Sequence, residues 1–236
     1  MGRDGRSLAQ AVAELFACPD AEAAIAAGEV LVDGLPVTNP ASRLRARARV
    51  TLRPVTALRG SAKLRAALTG FGVDVGGRVA LDVGAAAGGF TTVLLESGAQ
   101  RVYAVDAGHG QLLGSLRQHP RVVNLEAVNI ADLDAARVPE PIDVVTVDVS
   151  YLSVAAAAAQ LDRVTLARDA DLVALVKPMF ELRAPTAPSD RASLDAALAA
   201  ASTGVSAAGW AVQGVMDSPV TGSRGAREML LHARRL

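Results

Sequence analysis

Residues 78–98, RVALDVGAAAGGFTTVLLESG, combine an apolar run, a loop of alanine and glycine, and a second apolar run with helical spacing. The first run ends at Val83 and Gly84, and the loop reaches Gly88 and Gly89 before the helical run begins. Glycine lets the backbone turn tightly and approach a ligand closely, and the first amides of a helix have no partners within it. The stretch therefore predicts a strand, a ligand-binding loop and a helix in succession.

The same alternation of apolar strands and helices continues on both sides of this stretch. A helix is predicted over residues 63–71, and further strands over residues 101–108, 122–128, 142–150 and 171–178. Strands without polar alternation that are separated by helices are typical of a parallel sheet covered on both faces. The sequence therefore predicts a doubly wound α/β fold with a mostly parallel sheet, in which ligands bind at the carboxyl ends of the strands.

The N-terminal part of the chain has a different pattern. Helical stretches at 7–17 and 21–28 precede a strand at 29–34, which we expect to pair with residues 50–52. This pattern predicts a small α+β domain. The predicted limits are 1–53 for this domain, 54–60 for a linker and 61–236 for the α/β domain.

Composition excludes several classes of protein. The chain has 236 residues, of which 51% are hydrophobic, and its 24 Lys and Arg balance 24 Asp and Glu. Zero net charge removes the overall basic field of a non-specific nucleic-acid binder, so any RNA contact must be local. The single cysteine, Cys18, cannot form an internal disulfide, and the three histidines lack metal-ligand spacing. No apolar run is long enough for a bilayer and no signal core opens the chain, so we expect a cytoplasmic protein that needs no metal.

The glycine loop and the ends of the neighbouring strands predict an adenosyl cofactor. The glycine spacing does not fit the dinucleotide fingerprint, and the loop lacks the Gly-Lys-Ser/Thr of a phosphate loop. Asp106 ends the second strand, where a carboxylate can accept both ribose hydroxyls, and Asn129 and Asp132 follow the third strand, near an adenine edge. These features favour S-adenosylmethionine, although Asp82 and Asp106 taken singly are also typical of turns at strand ends. The candidate cofactor-binding residues are Asp82, Gly84, Gly88, Gly89, Phe90, Asp106, Asn129 and Asp148.

Two further strand ends carry the candidate catalytic groups. Asp148 ends the fourth strand, and Lys177 follows the apolar run of the fifth. A lysine is costly in such a place unless it lines a cleft beside carboxylates, and a partly desolvated lysine is available as a general base. The spacing alone leaves equally open a solvated lysine at a strand exit.

Six ordered segments resemble the hemolysin A or TlyA family of ribosomal RNA 2′-O-methyltransferases, which are relatives of the FtsJ methyltransferases. These segments are RGSAKL (59–64), LDVGAAAGGF (81–90), VYAVDAGHGQL (102–112), VDVSYLS (147–153), VKPMFE (176–181) and SPVTGSRGAREMLL (218–231). The resemblance implies a Rossmann-like methyltransferase domain, S-adenosylmethionine as cofactor and a catalytic tetrad. The implied tetrad is Lys63, Asp148, Lys177 and Glu228.

Residues 27–34, AGEVLVDG, resemble the small RNA-binding module of the same family, which pseudouridine synthases also contain. The family's basic segment between the two helices is absent, since residues 16–23 read FACPDAEA. Arg43, Arg45, Arg47 and Arg49 alternate, so on an extended segment all four would point the same way. Such a row makes either a narrow basic strip for RNA or a charged edge strand that prevents aggregation.

Other departures from the family lie near the site. Ala86 and Ala87 replace a usual Ser and Thr, Thr92 stands where Asp is common, and Ala226 stands where Asn is common. The segment 181–190 is shorter than usual and lacks the family's glycine-rich basic loop. These departures weaken RNA docking more than proton abstraction.

The leading hypothesis is therefore a methyltransferase that acts on a ribose 2′-hydroxyl of ribosomal RNA, with ribosomal subunits as partners. Zero net charge and the lost basic segment motivate a second hypothesis, in which the same cofactor serves a small metabolite. A third hypothesis is a non-catalytic binding module that keeps the tetrad by descent. Binding of S-adenosylmethionine separates the third hypothesis from the other two.

Overall fold

A computed structural model describes residues 3–18, 20–26, 30–33, 35–37, 39–45, 47–52, 59–222 and 225–236. The chain divides into two compact units, Met1–Ala57 with Leu112–Pro120, and Leu58–Gln111 with Arg121–Leu236. Residues 54–58 of the predicted linker lie outside the described residues, as do residues 27–29 and Gly34 of the predicted RNA-binding motif.

The described residues of the first 57 positions form two helices and five short strands. They are β1 (Arg3–Ser7), α1 (Leu8–Phe16), α2 (Ala21–Ala26), β2 (Val30–Val32), β3 (Leu35–Pro36), β4 (Arg43–Arg45) and β5 (Val50–Leu52). Helix α1 begins with a reciprocal cap, in which the Ser7 hydroxyl accepts from Gln10 N and the Gln10 side chain accepts from Ser7 N. Its apolar face packs on Ile25 and Val30 in a small core.

The predicted pairing of residues 30–32 with residues 50–52 is confirmed. Leu31 lies opposite Thr51 in an antiparallel register, and β3 pairs with the other edge of β2. Two helices and a three-stranded sheet therefore form the local core that the sequence predicts. The predicted end of the second helix at Gly28 lies outside the described residues.

The four alternating arginines do not lie on one extended segment, so the condition for a single row of side chains is not met. Strand β4 ends at Arg45, and the amide of Ala48 donates to the Arg45 carbonyl at 2.9 Å, which closes a turn. The turn breaks the period of two that would align the side chains. All four side chains are nevertheless exposed, and the buried Leu44 between Arg43 and Arg45 anchors the strand.

The second unit is built on a seven-stranded sheet, and the predicted doubly wound α/β class is confirmed. Its strands are β6 (Val79–Val83), β7 (Arg101–Asp106), β8 (Val122–Glu126), β9 (Ile142–Val147), β10 (Leu166–Val176), β11 (Trp210–Asp217) and β12 (Met229–Arg235). Their order is β11-β12-β10-β9-β6-β7-β8. Strands β10, β9, β6, β7 and β8 are parallel, whereas β12 runs antiparallel to both of its neighbours.

Helices connect these strands. They are α3 (Arg59–Phe71), α4 (Gly89–Glu96), α5 (Gly114–Arg117), α6 (Val154–Ala158), α7 (Pro178–Glu181) and α8 (Arg191–Ala207), of which α5 belongs to the first unit. Helix α3 packs on α4, and α8 packs on α6. Gly204 of α8 lies so close to Ala155 that an added Cβ would clash with it, which explains a glycine within a helix.

The reversed strand β12 determines where Glu228 lies. Met229 pairs with Val176 in an antiparallel register, so the residue before Met229 lies beside the residue after Val176. These two residues are Glu228 and Lys177. The sheet therefore brings the last predicted acid to the carboxyl end of β10, although 50 positions of sequence separate it from that strand's lysine.

The opposite end of the sheet holds a buried ionic cluster. Asp171 contacts His232 Nε2 at 2.7 Å and Arg78 Nη1 at 2.7 Å. Burial acts to raise the pKa of Asp171, but the hydrogen bonds from His232 and Arg78 outweigh burial and hold the pKa below its ordinary value. This cluster joins β10, β12 and the start of β6.

None of the helices in the described part of the chain is long and apolar enough to cross a membrane. Across those same residues, no group of three His, Cys, Asp or Glu side chains is arranged to hold a metal ion.

Candidate active site

The glycine loop after β6 has the backbone conformation that its composition predicts. Gly84 has φ +89°, and a Cβ there would lie 2.4 Å from the Asp148 carbonyl oxygen. Gly88 has φ +97° and precedes α4 as its N-cap residue. Both positions need glycine, since a side chain would be strained at either and would clash at Gly84. The loop thus holds β6 tightly against the end of β9.

Asp106 braces this loop from the neighbouring strand. Its Oδ2 accepts from the amide of Ala86 at 2.8 Å, and its Oδ1 accepts from the amide of Gly108 at 2.6 Å. The carboxylate therefore lies at the carboxyl end of β7 in direct contact with the glycine loop. This is the place where a ribose hydroxyl could share it.

Asp82 lies one layer deeper. Its side chain is fully buried and accepts from the Thr91 hydroxyl at 2.6 Å and from the Thr146 hydroxyl at 2.9 Å. It therefore ties β6 to α4 and β9, and the structure leaves it no surface for contact with a ligand. Its predicted place in the cofactor site is consequently beneath the loop rather than against the cofactor.

Burial raises the pKa of Asp82 from 3.8 to about 6, although the hydrogen bonds from Thr91 and Thr146 act in the opposite direction and Asp148 raises it further. Between these two pKa values the folded state binds more protons than the unfolded state, so the contribution of Asp82 to stability falls as the pH rises. At one pKa unit per 1.36 kcal/mol, the burial cost above pH 6 is about 3 kcal/mol.

We expect Asp82→Asn to change the pH dependence of unfolding. As the pH rises from 4.5 to 7.5, the variant should gain about 1–3 kcal/mol of unfolding free energy relative to the unsubstituted protein. Urea denaturation at several pH values measures it, with fluorescence of the single tryptophan, Trp210, as the probe of the second unit. A difference that does not vary with pH would show that Asp82 titrates normally.

Gly89, Phe90 and Asn129 have local structural partners. The Ser61 hydroxyl donates to the Gly89 carbonyl at 3.0 Å, and Phe90 is buried against Gly60 at the start of α3. Asn129 Oδ1 accepts from the amide of Ala131, which caps the short turn of 3-10 helix after β8. The contacts of Gly89, Phe90 and Asn129 with a cofactor remain predictions.

Lys177 and Asp148 form the first of two ion pairs. Lys177 Nζ lies 2.6 Å from Asp148 Oδ1, outside hydrogen-bonding geometry, and it donates to the Val149 carbonyl and the Ser150 hydroxyl, both at 2.9 Å. Asp148 Oδ1 is buried and has no hydrogen-bond donor among the described residues. The two predicted residues are thus adjacent and paired, since the Asp148 Oδ1 atom faces the Lys177 amine.

Lys63 and Glu228 form the second pair. Lys63 Nζ donates to Glu228 Oε2 at 2.5 Å, and each side chain is 7% exposed. Lys63 is presented by α3, and Glu228 immediately precedes β12. The carboxylate fits only because Gly222 lacks a Cβ, which would lie 2.2 Å from Glu228 Oε1.

Both pairs open into one cleft of about 870 Å³ at the carboxyl end of the sheet. Lys63, Asp148, Lys177, Glu228 and Gly84 line it. The other predicted cofactor-binding residues do not line this cleft; they are Asp82, Gly88, Gly89, Phe90, Asp106 and Asn129. The tetrad is therefore assembled in one place, and the remaining candidates lie under or beside the glycine loop.

Sequence reasoning assigned no role to Ser150, which lines the cleft, or to Glu181, which lies beside α6 and does not line it. Ser150 accepts from Lys177, and Glu181 Oε1 accepts from the amide of Val154 at the start of α6 at 2.6 Å. Burial raises the pKa of Glu181, while its hydrogen bonds to the backbone of Val154 and Ala155 oppose the rise. Both residues lie inside motifs quoted above, VDVSYLS and VKPMFE, so their place in those motifs was the available sign.

The residues present fit an adenosyl cofactor. Gly84 lines the cleft at the glycine loop, Asp106 offers carboxylate oxygens beside that loop, and Asp148 presents its carboxylate to the same cleft. The site therefore offers a backbone cradle next to acceptors that suit hydroxyl and amine groups.

Comparison with known proteins agrees with this geometry. Residues 57–235 match the FtsJ-like methyltransferase family. The chain is 39% identical over 219 residues to the 16S/23S rRNA (cytidine-2′-O)-methyltransferase TlyA of Mycobacterium tuberculosis (strain CDC 1551 / Oshkosh), covering 89% of this chain and 81% of that protein.

Two solved structures extend the comparison. One, described as a candidate hemolysin from Streptococcus thermophilus, has a TM-score of 0.72 and 28% identity, covering 100% of this chain and 89% of that one. A S-adenosylmethionine-dependent methyltransferase from Mesorhizobium loti shares the fold, with a TM-score of 0.55 and 18% identity over 75% of this chain and 99% of that one. The chain belongs to the TlyA group of the FtsJ-like methyltransferase family and is a S-adenosylmethionine-dependent methyltransferase.

Proposed function

We propose that the protein methylates a ribose 2′-hydroxyl of ribosomal RNA and that Lys177 receives the hydroxyl proton. The observation that carries this proposal is the convergence of Lys177–Asp148 and Lys63–Glu228 on one cleft. The M. tuberculosis relative is named as a cytidine 2′-O-methyltransferase of 16S and 23S rRNA, which supports the choice of substrate.

The acid–base chemistry requires an amine that can hold the proton as the hydroxyl oxygen becomes a nucleophile. Lys177 is suited to this role because it lies in the cleft and its amine is held on one side by Asp148 and Val149. Asp148 keeps the amine in place and stabilises the ammonium once the proton has arrived. Lys63 and Glu228 line the neighbouring wall of the cleft, and their opposite charges cancel.

We propose S-adenosylmethionine as the cofactor, held by the loop from Gly84 to Gly88, by Asp106 and by Asp148, with Asn129 near the adenine. When bound, this group supplies an electrophilic methyl on a positively charged sulfur. The protein therefore needs to position the hydroxyl and remove its proton, which are the tasks that the cleft and Lys177 perform.

The exposed arginines of the first unit support RNA as the partner. Arg43, Arg45, Arg47 and Arg49 offer positive charge to phosphates in a chain whose net charge is zero. The comparisons lend no support to the small-metabolite alternative. A ribosomal substrate also agrees with action in the cytoplasm.

The test incubates the protein with methyl-labelled S-adenosylmethionine and either stripped ribosomal subunits or a cell metabolite extract. We expect label on ribose 2′-oxygens of ribosomal RNA. Subunit affinity should fall at least about tenfold between 50 and 200 mM salt, because even a few phosphate contacts release counterions. Label confined to small molecules, with no subunit binding at low salt, would overturn the proposal.

A further inference from the structure

Ser150 lines the cleft next to the proposed base, Lys177, which lines it too. It follows β9 by three residues, its side chain is exposed, and it lines the cleft wall. Lys177 is far less accessible, since only 14% of its side chain is exposed, and its Nζ lies 2.9 Å from Ser150 Oγ. The Ser150 hydroxyl is therefore the more accessible of these two groups to a substrate hydroxyl in the cleft.

The three partners of the Lys177 amine differ in what they can do with a proton. The Asp148 carboxylate and the Val149 carbonyl can only accept hydrogen bonds, whereas the Ser150 hydroxyl can both accept and donate. In the arrangement observed, Lys177 donates to Ser150, which suits an ammonium. When Lys177 is a neutral amine, its lone pair needs a donor, and Ser150 is the one partner of the three that can become that donor.

We propose that Ser150 is a catalytic residue that relays the proton of the substrate hydroxyl to Lys177. This inference rests on the proposed function and deepens it. Ser150 Oγ accepts the hydrogen bond of the ribose 2′-hydroxyl on its cleft side and donates its own hydrogen to the neutral Lys177 amine on the other side. Both hydrogen bonds use the ordinary capacity of one hydroxyl group.

The step balances in protons and electrons. The 2′-O–H bond breaks and its proton goes to Ser150 Oγ, while the former hydroxyl proton of Ser150 goes to Lys177 Nζ. The ribose oxygen forms a bond to the methyl carbon as the carbon–sulfur bond breaks, and that electron pair stays on sulfur. The ammonium of Lys177 then donates to Ser150 and Val149, which is the arrangement that the structure shows.

The experiment measures single-turnover methyl transfer to stripped ribosomal subunits in mixtures of H₂O and D₂O. Because two protons move together in the relay, the rate of the unsubstituted protein should depend on the deuterium fraction along a curve. Ser150→Ala should transfer about 10²-fold more slowly, at the lower end of general acid–base effects, with a linear dependence. Ser150→Thr keeps a hydroxyl and should recover most of the rate and the curvature.

Ser153→Ala is the matched control, because it removes a hydroxyl from the same loop. The Ser153 hydroxyl caps α6 and does not contact Lys177. It should keep the curved dependence. Calorimetry with S-adenosylmethionine confirms that each variant is folded. Unchanged rate and curvature in Ser150→Ala, or a linear dependence in the unsubstituted protein, would overturn the relay alone. Absence of transfer by the unsubstituted protein would overturn both the relay and the proposed function.

Discussion

Replacement of Lys177 by methionine is expected to reduce methyl transfer about 10²–10⁴-fold, the range that a positioned general base contributes. Methionine is unbranched like lysine and fills a similar volume, so the cleft keeps its shape while the proton acceptor is lost. Cofactor binding should survive, because the substitution leaves the glycine loop and its contact with Asp106 unchanged. Single-turnover transfer of labelled methyl and calorimetry with S-adenosylmethionine measure the two effects.

Two further variants give this result a precise meaning. Lys177→Arg keeps the positive charge beside Asp148 but cannot release its proton, so it should be as inactive as the methionine variant. Arg168→Met removes a cation from the exposed far end of the same strand, β10, and should transfer at the normal rate. Transfer by Lys177→Met within threefold of the normal rate would refute the assignment of Lys177 as the base.

Breaking the Lys63–Glu228 pair is expected to cost about 3–5 kcal/mol of unfolding free energy, as for other buried pairs that lose one partner. Each side chain is only 7% exposed, so Glu228→Met leaves an uncompensated ammonium and Lys63→Met an uncompensated carboxylate. The double variant removes both charges and should recover most of the stability, although it should not recover transfer. Urea unfolding followed by Trp210 fluorescence yields the complete double-mutant cycle.

The cycle has a clear contrary outcome. Losses below about 1 kcal/mol in both single variants would mean that the pair is solvated, as exposed pairs are. The Arg191–Asp195 pair is a suitable reference, because both of its side chains are largely exposed and it lies on α8. Its disruption should change stability no more than an ordinary surface substitution does.

Sequence patterns predicted the five parallel strands because continuous apolar runs between helices leave few alternatives to a covered sheet. Strands β11 and β12 were not predicted. In β11, Gln213 and Gly214 interrupt the apolar pattern, and β12 ends in the basic residues Arg234 and Arg235. These two strands are stabilised by pairing with their neighbours at one edge of the sheet. Their own pattern of apolar residues does not specify them.

The arginines of the first unit show a different limit. Alternation along residues 43–49 aligns the four side chains only on an extended segment, and the chain turns after Arg45 through the Ala48 amide. A local backbone hydrogen bond there outweighs the period-two pattern. Composition indicated that the four side chains are exposed, but their arrangement in space depended on the turn.

The chain's own order of residues determined the fold class and the position of the glycine loop, because both depend on neighbours within a few positions. The four residues of the tetrad were implied by the resemblance of six segments to the TlyA family. Tertiary structure alone decided that Glu228 meets Lys63, that Ser150 contacts Lys177 and that Asp82 lies beneath the loop. Those contacts depend on strand order and register. Glu228 reaches the site only when the reversed strand β12 is placed beside β10 and the apolar surfaces of both are buried.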